Sequence, residues 1–299
     1  MNDLEYKARI LAKLVIYKLF SKRTKLMNDE TYNKLIFFVT FGRIPDFDHP
    51  QTFNEYICAR KVRRDEYDLW RYTDKYEARK YVAETIGEQY LNQCYGVYDS
   101  FEEIDFDQLP DRFALKGTHG SGYNIIVSDM STFDYQKAQK KFKKWLDQNF
   151  YYLGREKNYF KIKPRIMCDR FLECKTCEGL PEMKVFCFNG KAKFISYNMA
   201  VNGKTFSNIY DAKWNLLDMR RGYGHFEAAG IPDNHDEIIR IAERLAEPFD
   251  FVRVDLYNID NHVMFSELTF HSGGGFVPFS PSHYDKEFAK YFEELENPV

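Results

Sequence analysis

The chain has 299 residues, 44% of them hydrophobic and 29% charged, with a formal net charge of -2 at pH 7. That balance excludes an intrinsically disordered chain and gives no general electrostatic pull toward nucleic acid, so no nucleic-acid partner is expected. No run of about 18 apolar residues is present to span a membrane, and the six cysteines do not make a small disulfide framework in a chain this long.

Residues 4–20, LEYKARILAKLVIYKLF, place Leu4, Leu11, Leu14, Val15 and Leu19 at helical spacing with basic residues between them, and SKRTK follows. The pattern predicts an amphipathic helix, either docked on the core or lying on an anionic membrane surface. Lys7, Arg9 and Lys13 break the apolar residues, so the segment lacks a signal-peptide pattern. A cytoplasmic protein is expected, peripheral to the inner membrane at most. A second helix is capped by Asn28 or Asp29 and ends near Gly42, and a third follows the proline turn in HPQTFNEYICARKV. A fourth runs from Asp74 to Ile86, with Gly87 as its stop. CYGVYDS is strand-like. LPDRFALK then leads through a glycine loop into the strand NIIVSD. DYQKAQKKFKKWLDQNF is a helix with a strongly basic face, whose default role is solvation. The second half is strand-rich: PRIMCDRFLE, then EMKVFCFNGKAKFISYNM turning at Asn189-Gly190, then FVRVDLYNIDNHVMFSELTF turning at NIDN. One helix, HDEIIRIAERLAEPF, interrupts them. This order predicts an α+β fold rather than a repeating βαβ one. Aromatics at 17%, with 27 Phe and 22 Tyr, predict a core rich in both.

Two stretches carry chemistry. In FALKGTHGSGYNIIV, Lys116 precedes three glycines, Gly117, Gly120 and Gly122. Glycines let backbone N–H groups approach a phosphate, and the lysine supplies positive charge. The lysine lies on the wrong side of the loop for a P-loop, and the glycine spacing is not that of a dinucleotide fingerprint. A strand–loop–strand flap is expected, with a plain glycine hairpin as the alternative. In FVRVDLYNIDNHVMFSELTF, Phe251, Arg253 and Asp255 share one strand face, while Val252, Val254 and Leu256 share the other. On the return strand Val263, Phe265 and Glu267 alternate with Met264, Ser266 and Leu268. Pairing of Glu267 with position 253 or 255 brings two carboxylates and an arginine together, a donor set that suits Mg²⁺ with phosphates and water. The alternative is that Arg253 simply pairs with a carboxylate. Cys174 and Cys177, with Cys168 and Cys187 nearby, allow zinc, but reduced thiols are expected. The D-x-D pairs Asp46/Asp48 and Asp105/Asp107 allow a glycosyltransferase alternative.

The motifs DKYEARKYV, IGEQYL, LPDRFALKGTHGSGYNII, PRIMCDRFLE, KVFCFNGKAKFI, FVRVDLYN and ELTFHSGGGFVPFSP, in this order, resemble the ATP-grasp superfamily. More closely they resemble the TupA-like ATP-grasp proteins of bacterial surface-polysaccharide gene clusters. The resemblance runs from about residue 28 to about residue 290. It implies an ATP-grasp fold: a helical N-terminal region over 1–72, a subdomain with the phosphate loop over 73–165, and a subdomain with hinge and metal strands over 166–299. It implies that Lys116 contacts the α/β phosphates and that the loop, with Gly117, Gly120, Ser121 and Gly122, covers the β/γ phosphates. Lys75 resembles the earlier nucleotide lysine. Asp169, Arg170, Phe171 and Leu172 resemble the adenine hinge, and Lys184 adds charge nearby. Asp255 and Glu267 would hold one or two Mg²⁺ ions, with Thr269 where many members have asparagine. Arg253 would neutralise the transferred phosphate. His271, Gly273, Gly274 and Gly275 resemble the loop that meets the acceptor carboxylate, and His271 is a candidate base. The implied activity is an ATP-dependent carboxylate–amine ligase working through an acyl phosphate. The implied partners are a uronic acid, free, nucleotide-linked or in a glycan, and an amino acid or amino alcohol. A phosphotransferase and a non-catalytic nucleotide-binding assembly factor are the alternatives.

Overall fold

A computed structural model describes residues 26–177, 179–201 and 203–296. The helix predicted over 4–20 lies outside the described residues. Helix α1 (Asp29–Phe41) starts where the Asn28 side chain accepts the Thr31 N–H, and stops at Gly42 with φ 76°. Helix α2 (Phe53–Arg63) is capped by Thr52, whose side chain accepts the Glu55 N–H. Both ends follow the local chemistry of caps, in which a side-chain oxygen satisfies an orphan N–H and glycine takes the left-handed stop.

The fourth predicted helix is shorter than expected. A brief helix, α3 (Trp70–Thr73), ends first; the Asp74 carboxylate then accepts N–H bonds from Tyr76 and Glu77, and α4 (Ala78–Thr85) follows. Asp74 thus offers the backbone an alternative to helical bonding. Lys75 sits in the resulting turn rather than on a helix.

Strands β1 (Cys94–Tyr98), β2 (Phe113–Gly117), β3 (Asn124–Val127) and β4 (Ile166–Arg170) form an antiparallel sheet in the order β1-β4-β2-β3. β4 was expected in the third segment, yet it lies between β1 and β2, so this sheet crosses the 165/166 boundary. Helix α5 (Tyr135–Leu146) packs Ala138 and Phe142 on the sheet and leaves its lysines exposed, as its periodicity predicts. The short helix α6 (Tyr151–Gly154) follows.

The second sheet contains β5 (Leu180–Phe188), β6 (Lys191–Val201) and β7 (Lys204–Asp211). After the two-residue β8 (Arg220–Arg221) and helix α7 (His235–Ala246) come β9 (Phe251–Ile259) and β10 (His262–Thr269). The order is β10-β9-β5-β6-β7, antiparallel throughout. Asn189 and Gly190 turn with φ of 45° and 68°, and Asp260 and Asn261 turn with φ of 50° and 63°, matching the two predicted hairpins. Nothing in the sequence pattern had singled out β7.

The two faces of this sheet differ. Met183, Val185, Val252, Val254 and Leu256 pack against Ile238, Ile241 and Leu245 of α7. The other face begins with Phe186, Phe188, Phe194 and Phe251, joined by Phe53, Phe279 and Phe292. Here α2 meets β11 (Phe279–Ser280), α8 (His283–Glu287) and α9 (Lys290–Glu296). The Phe53 ring meets Phe251 edge-on at 6.0 Å and Phe279 at 5.5 Å, the preferred aromatic geometry. Moving along β5 and β9 on this same face, phenylalanine gives way to Lys184, Glu182, Arg253 and Asp255.

Candidate nucleotide and acceptor site

Register decides the site. From His262 to Phe265, β10 pairs with β9 in one register; from Glu267 onward the register has shifted by one residue. The break places a bulge at Ser266. Without it Glu267 would oppose Val254; with it Glu267 opposes Asp255 and Thr269 opposes Arg253. The strict alternation read from sequence therefore fails locally. Val263 and Phe265 join the apolar core with Leu268, while Glu267 turns to the charged face.

On that face Asp255 is fully buried and accepts from Arg253 Nε and Nη2, both at 2.6 Å, and from Lys184 Nζ at 2.8 Å. Lys184 also meets Glu182 at 2.8 Å. Arg253 Nη2 donates to Thr269 Oγ1 at 3.0 Å and lies 3.7 Å from Glu267. Burial pulls the Arg253 guanidinium and Lys184 ammonium down, but Asp255 outweighs it and holds both above their ordinary values. Burial pushes Glu267 upward; Lys75, Lys184 and Arg253 outweigh it and hold its carboxyl at about 2. Burial raises Glu182, with Lys184 opposing it.

The glycine loop joins β2 to β3 as a flap. Lys116 lies on β2, and its Nζ donates to Asp169 Oδ2 at 2.9 Å. Burial lowers the Lys116 ammonium, but Asp169 and its other anionic neighbours overcome this and raise it. Lys75 connects the two sheets: its Nζ donates to Gly120 O at 3.0 Å and to Glu267 Oε2 at 3.2 Å. Gly120 is required by packing, since a Cβ there would meet Phe150 and Tyr123 at 2.7 Å; Gly122 adopts φ 74°. Ser121 and Gly122 are exposed at the tip of the flap.

Asp169 and Arg170 end β4. Arg170 uses both backbone groups, donating to Gln93 O at 2.9 Å and accepting from Asn92 Nδ2 at 2.8 Å. Phe171 and Leu172 make no hydrogen bond to other main-chain groups outside strands among the described residues. They lie half-buried, with the Arg112 guanidinium 4.1 Å over the Phe171 ring.

The acceptor-loop residues divide. Gly273, Gly274 and Gly275 all take left-handed φ, from 61° to 76°, which only glycine adopts repeatedly at low cost. Gly273 is exposed and Gly274 half-exposed. Beside them Ser272 accepts from Arg253 and Arg221, each at 3.1 Å to its Oγ. The His271 side chain is not brought to this opening. It is wholly buried, with Nε2 2.6 Å from Glu66 and Nδ1 3.2 Å from Asn158, so its ring braces the loop from behind.

Other sequence alternatives resolve into structure. Asp46 accepts the N–H groups of Asp48 and His49, and Asp105 accepts that of Asp107, so both D-x-D pairs close turns. Cys168 and Cys187 are buried in separate cores. Cys174 and Cys177 are joined by a disulfide, which departs from the expectation of reduced thiols throughout. Among the described residues no group of three or more His, Cys, Asp or Glu is placed to hold a metal. Asp255 and Glu267 supply two carboxylates, with Thr269 Oγ1 3.4 Å from Glu267 Oε1. This oxygen-only set fits Mg²⁺, which completes its octahedron with phosphate and water.

Cations gathered between a glycine flap and a sheet carrying paired carboxylates are the arrangement expected of an ATP-grasp protein. The chain belongs to the TupA-like ATPgrasp family, whose model matches residues 55–293. No curated protein sequence matches it significantly. Among solved structures it is similar to D-alanine–D-alanine ligase from Bacillus anthracis complexed with ATP, at 12% identity, TM-score 0.40, covering 67% of this chain and 54% of that one. It is also similar to D-alanine–D-alanine ligase from Helicobacter pylori, at 14% identity, TM-score 0.41, covering 77% and 61%. A third is carboxyaminoimidazole ribonucleotide synthase from Aspergillus clavatus complexed with ATP, at 12% identity, TM-score 0.39, covering 67% and 44%. Each likeness is distant, and the chain spans about half the length of these proteins.

Arg221, which donates to the Ser272 hydroxyl, carries no motif signal. Glu182 had one, since it stands two residues before Lys184 and so shares its strand face.

Proposed function

We propose that the protein is an ATP-dependent carboxylate–amine ligase, joining the carboxylate of a uronic acid in surface-polysaccharide synthesis to an amino acid or amino alcohol. One observation supports this most: Lys75, Lys116, Lys184 and Arg253 surround the opposed Asp255 and Glu267 beneath the glycine flap. Each of these cations is held by a carboxylate. A triphosphate entering the cleft competes for them. Lys116 and the loop amides grip its oxygens from one side, and Lys75 ties the flap over it. Phe171 and Leu172 offer backbone groups to the adenine. Mg²⁺, held by Asp255 and Glu267, with the Thr269 hydroxyl beside them, would supply charge neutralisation on the phosphates.

The chemistry needs little covalent help from the protein. A carboxylate resists amines because it is anionic and lacks a good leaving group. Phosphoryl transfer gives an acyl phosphate, with ADP leaving; amine attack then gives the amide and phosphate. Arg253 and Lys116 stabilise charge on the transferred group, and the left-handed glycines allow close approach of the acceptor. No helix of the described residues is long and apolar enough to cross a membrane. We place the enzyme in the cytoplasm, where ATP is available, with the basic stretch 4–20 offered to the inner-membrane surface; flotation of the protein with anionic liposomes tests that contact.

The test of function is ADP release across a matrix of uronic acids and amines, with mass spectrometry of the products. A ligase releases ADP only when both partners are present and yields their dehydrated adduct. A phosphorylated acid that accumulates whatever amine is supplied would instead indicate a phosphotransferase.

A further inference from the structure

Glu156 has a carboxylate with an unusual lack of partners. Its side chain is only 13% exposed, yet among the described residues it accepts no hydrogen bond; the nearest basic nitrogen is His271 Nδ1 at 3.8 Å. A buried carboxylate is ordinarily paired and hydrogen-bonded. It faces the triple-glycine loop, since a Cβ built on Gly274 would sit 3.7 Å from Glu156 Oε1. A Cβ at Gly154 would meet that same oxygen at 2.5 Å, so glycine there leaves room for it. Lys61, fully buried nearby, is committed elsewhere: its Nζ donates to Gly154 O at 3.1 Å and to Gly274 O at 2.6 Å. Lys61 thus fixes the two backbone segments that flank the carboxylate and leaves its oxygens free. Arg253 and Glu267 lie within electrostatic reach.

We propose that Glu156 is the binding group for the amine substrate, holding a primary ammonium beside Gly274 and accepting its proton before attack. This assignment rests on the ligase reading above. In the step, one N–H proton of the ammonium passes to Glu156, freeing the nitrogen lone pair. That pair forms the C–N bond at the acyl-phosphate carbon. The C–O bond to phosphate breaks with its electron pair going to phosphate, which takes the second N–H proton. Burial raises the Glu156 carboxyl above its ordinary value, against the pull of His271, Lys61 and Arg253, which favours it as a proton acceptor. His271 positions it from behind.

The full-length protein carrying Glu156→Gln separates the possibilities. Calorimetric titration of ethanolamine and of L-alanine into the MgADP-bound protein should show binding to wild type, at least tenfold weaker binding to the variant, and unchanged MgADP affinity. Equal binding by both proteins, no binding of either amine to wild type, or a parallel loss of MgADP affinity overturns the assignment. Hydroxylamine, neutral at pH 7, is the second arm, with D-glucuronate as acceptor. Hydroxamate formation should be kept by the variant while amide formation with ethanolamine falls at least tenfold; equal loss of both overturns the assignment. A wild type that binds ethanolamine but forms no hydroxamate with any uronic acid counts against the ligase reading instead.

Discussion

Asp255 is gripped by both forks of Arg253 at 2.6 Å and by Lys184 at 2.8 Å, with no exposure to solvent. Removing its charge strips two buried cations of their partner, a loss worth roughly 3–5 kcal/mol in comparable pairs. Asp255→Asn should therefore lower the thermal midpoint and reduce ATP turnover at least about 1000-fold, since transition-state charge loses its support. Turnover within tenfold of wild type would reject its role. Lys116→Ala removes a charge-assisted contact worth roughly 1.5–3 kcal/mol, so the MgATP dissociation constant should rise about tenfold or more in a calorimetric titration. An unchanged constant would take Lys116 out of the phosphate site. Asp255 and Lys116 were legible in sequence because strand alternation and glycine clustering are local signals, whereas Glu267 reaches the charged face only through the bulge. Glu156 and His271 were less so. The contact of His271 with Asn158 spans 113 residues, and no periodicity reports a contact of that separation.

At the scale of elements, the Ser266 bulge sets which carboxylates meet. Deleting Ser266 removes the extra residue and leaves Glu267 directly after Phe265 and still opposite Asp255, so ATP turnover should persist; a variant without turnover would show that the bulge itself, and not only the register it sets, is needed. The sequence could not reveal the bulge, because Phe265 and Glu267 have the same parity and only the partner strand separates them. Helix α2 is tied to the start of β9 by Arg60, whose guanidinium donates to both oxygens of Asp250 at 2.9 and 3.1 Å. Burial raises the Asp250 carboxyl, but Arg60 and Arg64 outweigh it and hold it at about 2, below its ordinary 3.8. The folded state thus binds that proton less readily than the unfolded chain. The stabilisation is full above about pH 4 and disappears as pH falls through about 2. Because Asp250 is 34% exposed, solvent screening reduces the benefit to about 1 kcal/mol. Asp250→Asn should lose that amount at pH 6 in urea denaturation and match wild type near pH 2; a gap that persists there would deny the ion pair its role. Gly275 combines φ 76° with a Cβ position 2.6 Å from Cys58 Sγ and 2.8 Å from Asn54 O. Gly275→Ala should cost about 1–3 kcal/mol, read as a lower urea midpoint, and an unchanged midpoint would show that the loop relaxes freely.

For the whole molecule, the α+β order, both tight hairpins, the helix caps and the aromatic core were all legible, since each depends on neighbours within a few residues or on overall composition. The sheet assignment of β4 was not, because its partners β1 and β2 lie far upstream and a strand's own pattern does not name its neighbours. The helix expected from Asp74 failed for a residue-scale reason, the Asp74 turn, and that turn is what delivers Lys75 to the junction between sheets. On the proposed function a triphosphate is gripped between the flap and the carboxylate strands. A crystal structure of the protein with Mg²⁺ and a non-hydrolysable ATP analogue tests it most directly. Phosphate oxygens on Lys116 and the 117–122 amides, with metal on Asp255 and Glu267, are the predicted result. An analogue bound elsewhere, with the ion pairs of Asp255 intact and the cleft empty, would contradict it.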